Sequence, residues 1–319
     1  MRRYVIKRLA QAVGVLWAAY TVSFLVLDFL PGDPVTAMAG AGMDSGDVDP
    51  ARLAALRHEY GFDKPILVQY ADYLGRAVRG NFGDAVSTGR PVTSTLADAL
   101  PQTLQLTGAA LLLAVLLGGG LAVVATYTSL RWLRQLLLSL PPLGVSVPTF
   151  WVGLLLVEAF SFRLHWFPAF GNDGLRGLVL PALTLAIPTG ALVAQVLAKS
   201  LLTALDQAYV ETARAKGAGR WRVHVRHALR NASLPALTVV GLLVGQLVAG
   251  SVVVETVFSR DGLGRVTAAA VTVQDLPVVQ GVVVFGALIF VATNLVVDLV
   301  YPLLDPRIVV ASGGRASFA

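Results

Sequence analysis

No cysteine occurs among the 319 residues. Disulfides, thiolate metal sites and cysteine nucleophiles are excluded at once. Charge is sparse too, at 14% of residues, against about 25% in soluble domains. Lysine occurs at positions 7, 64, 199 and 216 alone. A phosphate-cradling loop needs glycines and then Lys-Ser or Lys-Thr. Lys199-Ser200 is the one such pair, and Ala198 precedes it without glycine. ATP and Mg therefore have no site in this chain. No Gly-x-Ser-x-Gly turn is present to expose a serine nucleophile. His58-Glu59 opens like a zinc-protease helix, but the residue four after His58 is Phe62 rather than histidine. Basic residues are not interleaved with aromatics, so no base-stacking surface is expected and nucleic acid is not a partner.

Apolar residues fill the space that charge leaves. They make up 55% of the chain, with a mean hydropathy of +0.70. A soluble fold of this length could not hide so much apolar surface. A bilayer core takes about 20 apolar residues per helix. Six stretches qualify: Leu9–Leu30, Thr103–Tyr127, Leu133–Phe160, Leu178–Lys199, Leu234–Val257 and Pro277–Leu303. Pro181 and Pro188 predict a kink or an irregular start in the fourth. The first run is longer than the roughly 7–15 residues of a signal peptide, so it is read as a retained span. More than half of the 25 Lys and Arg fall on one side if the N-terminus is cytoplasmic. That side holds Arg2, Arg3, Lys7 and Arg8, then Arg131 and Arg134, the cluster from Lys199 to Arg230, and Arg307 and Arg315. Both termini are thus expected inside. The net charge of +6 reflects this loop bias.

Two polar stretches interrupt the apolar pattern. Residues 31–101 lie outside in this topology. Pro31-Gly32-Asp33-Pro34 reverses the chain, and Asp49-Pro50 opens a short helix through Leu53, Leu56 and Tyr60 that Gly61 stops. A second helix is predicted from Ile66 to Arg79, ended by Gly80. Residues 200–234 lie inside and exceed the usual 2–8-residue helix connection. A helix through Glu211–Lys216 meets Gly217, which suits a left-handed turn, and a second helical run follows from Trp221 to Asn231. The pattern describes a rigid knob at the membrane face. His224 and His227 in this loop are read as packing residues rather than metal ligands. Asp28, Glu158, Glu255 and Asp298 lie near span ends, where bonds to backbone or headgroup water account for them; Asn294 and Asp298 share one helix face. Trp166 and Phe167 read as interfacial anchors.

Glu211-x-Ala213-x-x-x-Gly217, followed by Leu234-Pro235, resembles the EAA loop of binding-protein-dependent ABC permeases. Tyr209 to Gly217, His227 to Asn231 and Leu30 to Pro34 are similar to the dipeptide, oligopeptide and nickel branch. Glu255-Thr256-Val257-Phe258, Gly262-Leu263-Gly264, Asn294 to Tyr301 and Leu304 to Arg307 extend the likeness over nearly the whole chain. One departure is Asp261, where the family usually has proline before Gly-Leu-Gly. The resemblance implies an all-α membrane protein of six transmembrane helices, with the type I importer fold and an extracytoplasmic helical insertion. Its expected parts are an N-terminal segment and first span (1–30), the insertion (31–101), a five-helix core (102–305) with the coupling loop 200–234, and a cytoplasmic tail (306–319). It implies a permease subunit in a bacterial inner membrane that carries peptides. The implied partners are a second homologous permease, two ATP-binding subunits and an external solute-binding protein. Glu211, Thr212, Ala213, Arg214, Ala215, Lys216 and Gly217 would form the ATPase-coupling loop. A self-sufficient carrier would instead want inverted repeats or a polar filter, and neither is evident.

Overall fold

The computed structural model describes residues 2–28, 51, 54–55, 57–58, 63–273 and 275–304. Of the helix expected from Asp49 to Gly61, residues 51, 54–55 and 57–58 are described and helical; the rest lies outside these residues, as do the expected turn at Pro31–Pro34 and the Asp305–Arg307 segment. So do the side chains of Asp28, Asn294 and Asp298. The architecture is helical throughout the described residues, apart from one isolated bridge between Asp84 and Pro91. The chain divides into two compact units: Met1–Leu104 with Ser259–Val291, and Gln105–Phe258 with Ala292–Ala319.

The first unit contains α1 (Arg2–Asp28), α2 (Ile66–Val78), the start of α3 (Val92–Tyr127), α9 (Leu263–Thr272) and most of α10 (Leu276–Leu304). The predicted helix from Ile66 to Arg79 is α2, with Arg79 as its C-cap and Gly80 at φ +77° beyond it. Val92, Leu96, Ala99, Leu263, Ala270, Val278 and Val279 form the core. Gly281 permits the close approach of α10 to α3: a Cβ there would meet Val92 Cγ1 at 2.7 Å. Asp275 is buried and precedes α10. Its carboxylate accepts hydrogen bonds from Ser87 N (2.9 Å) and Ser87 Oγ (2.8 Å), and from Val278 N in the first turn. A buried carboxylate survives on such donors, which also cap the helix.

The second unit is built around α6 (Gly174–Leu205), which packs against α4 (Arg131–Ser146), α5 (Thr149–Arg163) and α8 (Arg220–Val257). Lipid tails are as apolar as leucine, so membrane helices associate by close packing and small residues let backbones approach. The inward positions of α6 follow that rule: Ala182, Ala186, Gly190, Ala191, Ala194 and Ala198 are buried. At the tightest point Gly118 of α3 faces Gly190. A Cβ on Gly118 would lie 2.1 Å from the Gly190 carbonyl oxygen, and one on Gly190 would lie 3.0 Å from Ala114 O. Leucines and valines such as Leu112, Leu116 and Val124 face outward from α3, as lipid demands.

Two sequence expectations need correction. The third apolar stretch, Leu133–Phe160, is not one straight span. It is a pair of helices, α4 and α5, bent by 104°. Pro148 causes the break, because proline drives the preceding residue into extended geometry and Val147 sits at φ −87°, ψ 129°. Hydropathy does not register this, since both arms are apolar. The fourth stretch has no irregular start. α6 runs as one α-helix through Pro181 and Pro188, while the Thr184 and Thr189 hydroxyls donate to the Leu180 and Leu185 carbonyls. Among the described residues three helices, α3, α6 and α8, are each long and apolar enough to cross a membrane, and the α4–α5 pair passes the same test jointly. The apolar cores of α1 (Ala10–Val26) and α10 (Leu276–Ala292) are shorter within the described residues.

The glycine crossing makes a paired prediction. Gly118→Ala should destabilise the solubilised chain by about 1–3 kcal/mol, the usual cost of overpacking. Gly120→Ala, where a Cβ meets nothing within 4 Å, should leave the thermal midpoint unchanged. Equal midpoints for the two variants would contradict the close crossing.

Candidate functional site

Within the stretch expected as a knob, Ser200 to Leu234, the break between long helices is confined to residues 206–219. α6 ends at Leu205, and α7 (Ala208–Ala215) begins two residues after its Asp206 cap. Val210 points inward and is fully buried, which ties α7 to the second unit. Glu211 lies in the first turn and Arg214 in the last, each at the helix end that its charge favours. The exit is a Schellman turn. Gly217 N donates to Arg214 O at 2.9 Å, Ala218 N donates to Ala213 O at 3.0 Å, and Gly217 adopts φ +81°. Gly219 then serves as N-cap of α8 with ordinary φ, and Val223 N bonds its carbonyl at 3.0 Å.

The seven residues from Glu211 to Gly217 are thus brought together on one short helix and its elbow. Glu211, Thr212, Arg214, Ala215, Lys216 and Gly217 are exposed, and Ala213 is half-buried. Thr212 returns its hydroxyl to Ala208 O at 3.2 Å. Chemically the knob is a small, capped, mixed-charge protrusion that bears no set of groups for bond-making. The second predicted helical run, Trp221–Asn231, is not separate. It is the start of α8, which passes Leu234-Pro235 without a break and contains a π segment at Val223–Ala228.

What holds the knob was not visible in sequence. The end of α3 and the start of α8 are fastened by a clasp. His224 is buried, and its Nε2 lies 3.0 Å from Thr126 Oγ1. Thr126 donates its own proton to Ala122 O at 2.7 Å, which leaves its lone pairs to accept from His224. Tyr127 receives His224 and Trp221 edge-on, both at 5.5 Å between ring centroids. The Arg220 guanidinium sits 4.6 Å over the same ring and donates to the Tyr127 carbonyl. Arg134 of α4 donates to Thr128 O at 3.0 Å. Orphan carbonyls at the C-terminus of α3 are thereby satisfied by cations, the sign that the helix dipole favours there. Among the described residues no group of three or more His, Cys, Asp or Glu side chains converges as a metal site would.

The other singled-out residues fall elsewhere. Glu255 departs from expectation: it is completely buried in α8 rather than turned to headgroups. Glu158 is exposed and pairs with Arg163 at 3.0 Å. Trp166 is exposed and meets Phe160 at a tilt, whereas Phe167 packs on the core of the second unit. In the first unit, Asp261 and Arg265 pair at 2.7 Å, as do Arg90 and Asp98 at 2.8 Å. Both pairs line one open cleft of about 340 Å³ beside Gly262 and Thr95.

Comparison with known proteins accords with this geometry. The family described as binding-protein-dependent transport system inner membrane component matches residues 105–310, and its N-terminal companion matches residues 1–107. A protein of Brucella suis biovar 1 (strain 1330), assigned as a permease of a peptide transport system, is 37% identical over 316 residues, covering 97% of this chain and 99% of the relative. The glutathione transport system permease protein GsiC of Escherichia coli (strain K12) is 36% identical over 308 residues, with the same coverage. Among solved structures, the inward-facing MetNI methionine ABC transporter covers 64% of this chain and 95% of its own at a TM-score of 0.51 and 19% identity. An amino acid ABC transporter with histidines covers 66% and 94% at a TM-score of 0.50 and 19% identity. At that identity the structures speak for the fold alone. Family match and full-length relatives together establish that the chain belongs to the inner-membrane permeases of binding-protein-dependent transport systems, as a transport subunit and not a catalytic one.

Proposed function

We propose that this chain is one of two permease halves of an ATP-driven importer of peptides. The relatives named for peptide and glutathione transport support that cargo class. In this reading the chain crosses the membrane six times with both termini cytoplasmic. A second permease completes the path, two ATP-binding subunits supply energy, and an external binding protein delivers the peptide. The family description supports the last two partners. Residues 31–101 form the extracytoplasmic insertion, and 102–305 the permease core.

The observation that carries the reading is the exposed α7, closed at its C-terminus by a left-handed elbow. A protrusion of this kind is rigid enough to take a push and small enough to enter a groove on another protein. Glu211 to Gly217 is the contact that an ATPase subunit engages. Motion at α7 reaches the spans by two routes. One is the short chain links from α7 to α6 and α8; the other is the clasp that binds the start of α8 to the end of α3.

Two variants test this in reconstituted vesicles. Gly217→Val forces a β-branched residue to φ +81°, at a cost of about 1–2 kcal/mol for left-handed backbone. Transport should be lost, with ATPase activity uncoupled or the ATPase unbound, while the chain remains inserted. Gly219→Ala, at φ −63° with open space around it, should transport normally. Normal coupled transport in Gly217→Val would refute the assignment.

A third variant addresses the clasp. Tyr127→Ala removes two aromatic contacts and a cation–π contact, each worth about 0.5–1.5 kcal/mol. The ATPase should still bind, and the peptide moved per ATP hydrolysed should fall. An unchanged ratio would show that the clasp plays no part in coupling.

A further inference from the structure

α2 carries two apolar faces, and packing accounts for one of them. On the inner face Tyr70 and Tyr73 meet α1. The Tyr70 ring is 5.4 Å from Phe24 and 6.2 Å from Tyr20, and Tyr73 is 6.4 Å from Phe24. Tyr70 OH lies 2.8 Å from Thr21 Oγ1. The other face repeats at Leu67, Ala71, Gly75 and Val78, a helical spacing, with Val68 beside it. Leu67 is 79% exposed and Val78 80%, and a Cβ on Gly75 would meet nothing within 4 Å. A polar edge separates the two faces. It holds Arg76 and Asp72, whose carboxylate accepts from Lys64 Nζ at 2.7 Å; that bond holds the Asp72 carboxyl below its ordinary range.

Single exposed apolar residues need no explanation, but a whole helical face does. Its neighbours indicate what covers it. α2 meets α1 at Tyr20, Thr21 and Phe24, and over the same two turns α1 exposes Val22, Leu25 and Val26. Those residues are lipid-facing if α1 crosses the membrane, so the bare face of α2 adjoins a lipid-facing surface. Tyrosines at this level have the amphipathic rings that membrane interfaces favour. Lys64, Arg76 and Arg79 supply the positive charge that phosphate headgroups attract.

We infer that α2 is an interfacial helix, seated with Leu67, Val68 and Val78 in the outer leaflet of the phospholipid bilayer and with Arg76 among the headgroups. The inference rests on the six-crossing reading of the proposed function. It makes residues 66–78 a membrane-bound anchor for the insertion rather than a free extracytoplasmic arm.

The absence of cysteine makes the test direct. Single cysteines replace Leu67, Val78, Asp72 or Val13 in the full chain, and each takes a nitroxide. The chain is placed in nanodiscs of phosphatidylethanolamine and phosphatidylglycerol. Collisions with oxygen, which concentrates in lipid, are compared with those of a water-soluble nickel chelate. Relative to Asp72, the labels at Leu67 and Val78 should shift toward oxygen, and Val13 on the exposed side of α1 should shift further. Nickel access at Leu67 and Val78 equal to that at Asp72, with Val13 still in lipid, would overturn the interfacial seat alone. Shielding of Leu67 and Val78 from both reagents would overturn it in favour of a protein partner. Nickel access at Val13 would overturn both the span and the seat built on it.

Discussion

The close crossing of α3 and α6 at Gly118 and Gly190 is the constraint on which the second unit depends. Nothing apolar drives two helices together in lipid, so contact must come from backbone approach. Here the approach is close enough that a single methyl group on Gly118 would collide with a carbonyl oxygen. α6 is the most buried of the long apolar helices, and alanines carry the same close packing along its length. Fixing α3 against α6 also fixes where both helices end. α6 ends at the short helix α7, and α3 ends at Thr126 and Tyr127, which grip the start of α8.

That arrangement explains why the knob can be small. α7 has eight residues and one fully buried side chain, too little to hold itself. Its rigidity is borrowed from the Schellman turn at one end, the two-residue link to α6 at the other, and the clasp between α3 and α8. The clasp gathers a hydroxyl, an imidazole, two aromatic rings and two guanidinium groups around the C-terminus of α3. Each contact is modest, and together they leave α8 little freedom to move without α3. The π segment at Val223–Ala228 places His224 inward while Arg222 and Arg226 stay exposed.

Much of this was legible in the residues because the signals were local. Gly217 after a short helical run announced a left-handed elbow, and Gly80 after Ile66–Arg79 announced the end of α2. Composition and the absence of a phosphate loop separated transport from ATP hydrolysis. The failures share a physical cause, since each depends on information that is not local or not hydrophobic. Val147-Pro148 bends α4 against α5 inside an unbroken apolar run. Glu255 reads as a polar span end until the fold buries it. Thr126 and His224 are 98 residues apart, and no spacing rule pairs a threonine at the end of one apolar run with a histidine in a basic loop.

The central claim is that this chain is half of a path and takes its energy from other subunits. Detergent extraction of the tagged chain from native membranes, with mass spectrometry of the recovered complex, tests it most directly. The account predicts stoichiometric recovery of ATP-binding subunits and a second, homologous permease. Recovery of the chain alone, in a form that transports when reconstituted without ATPases, would contradict it.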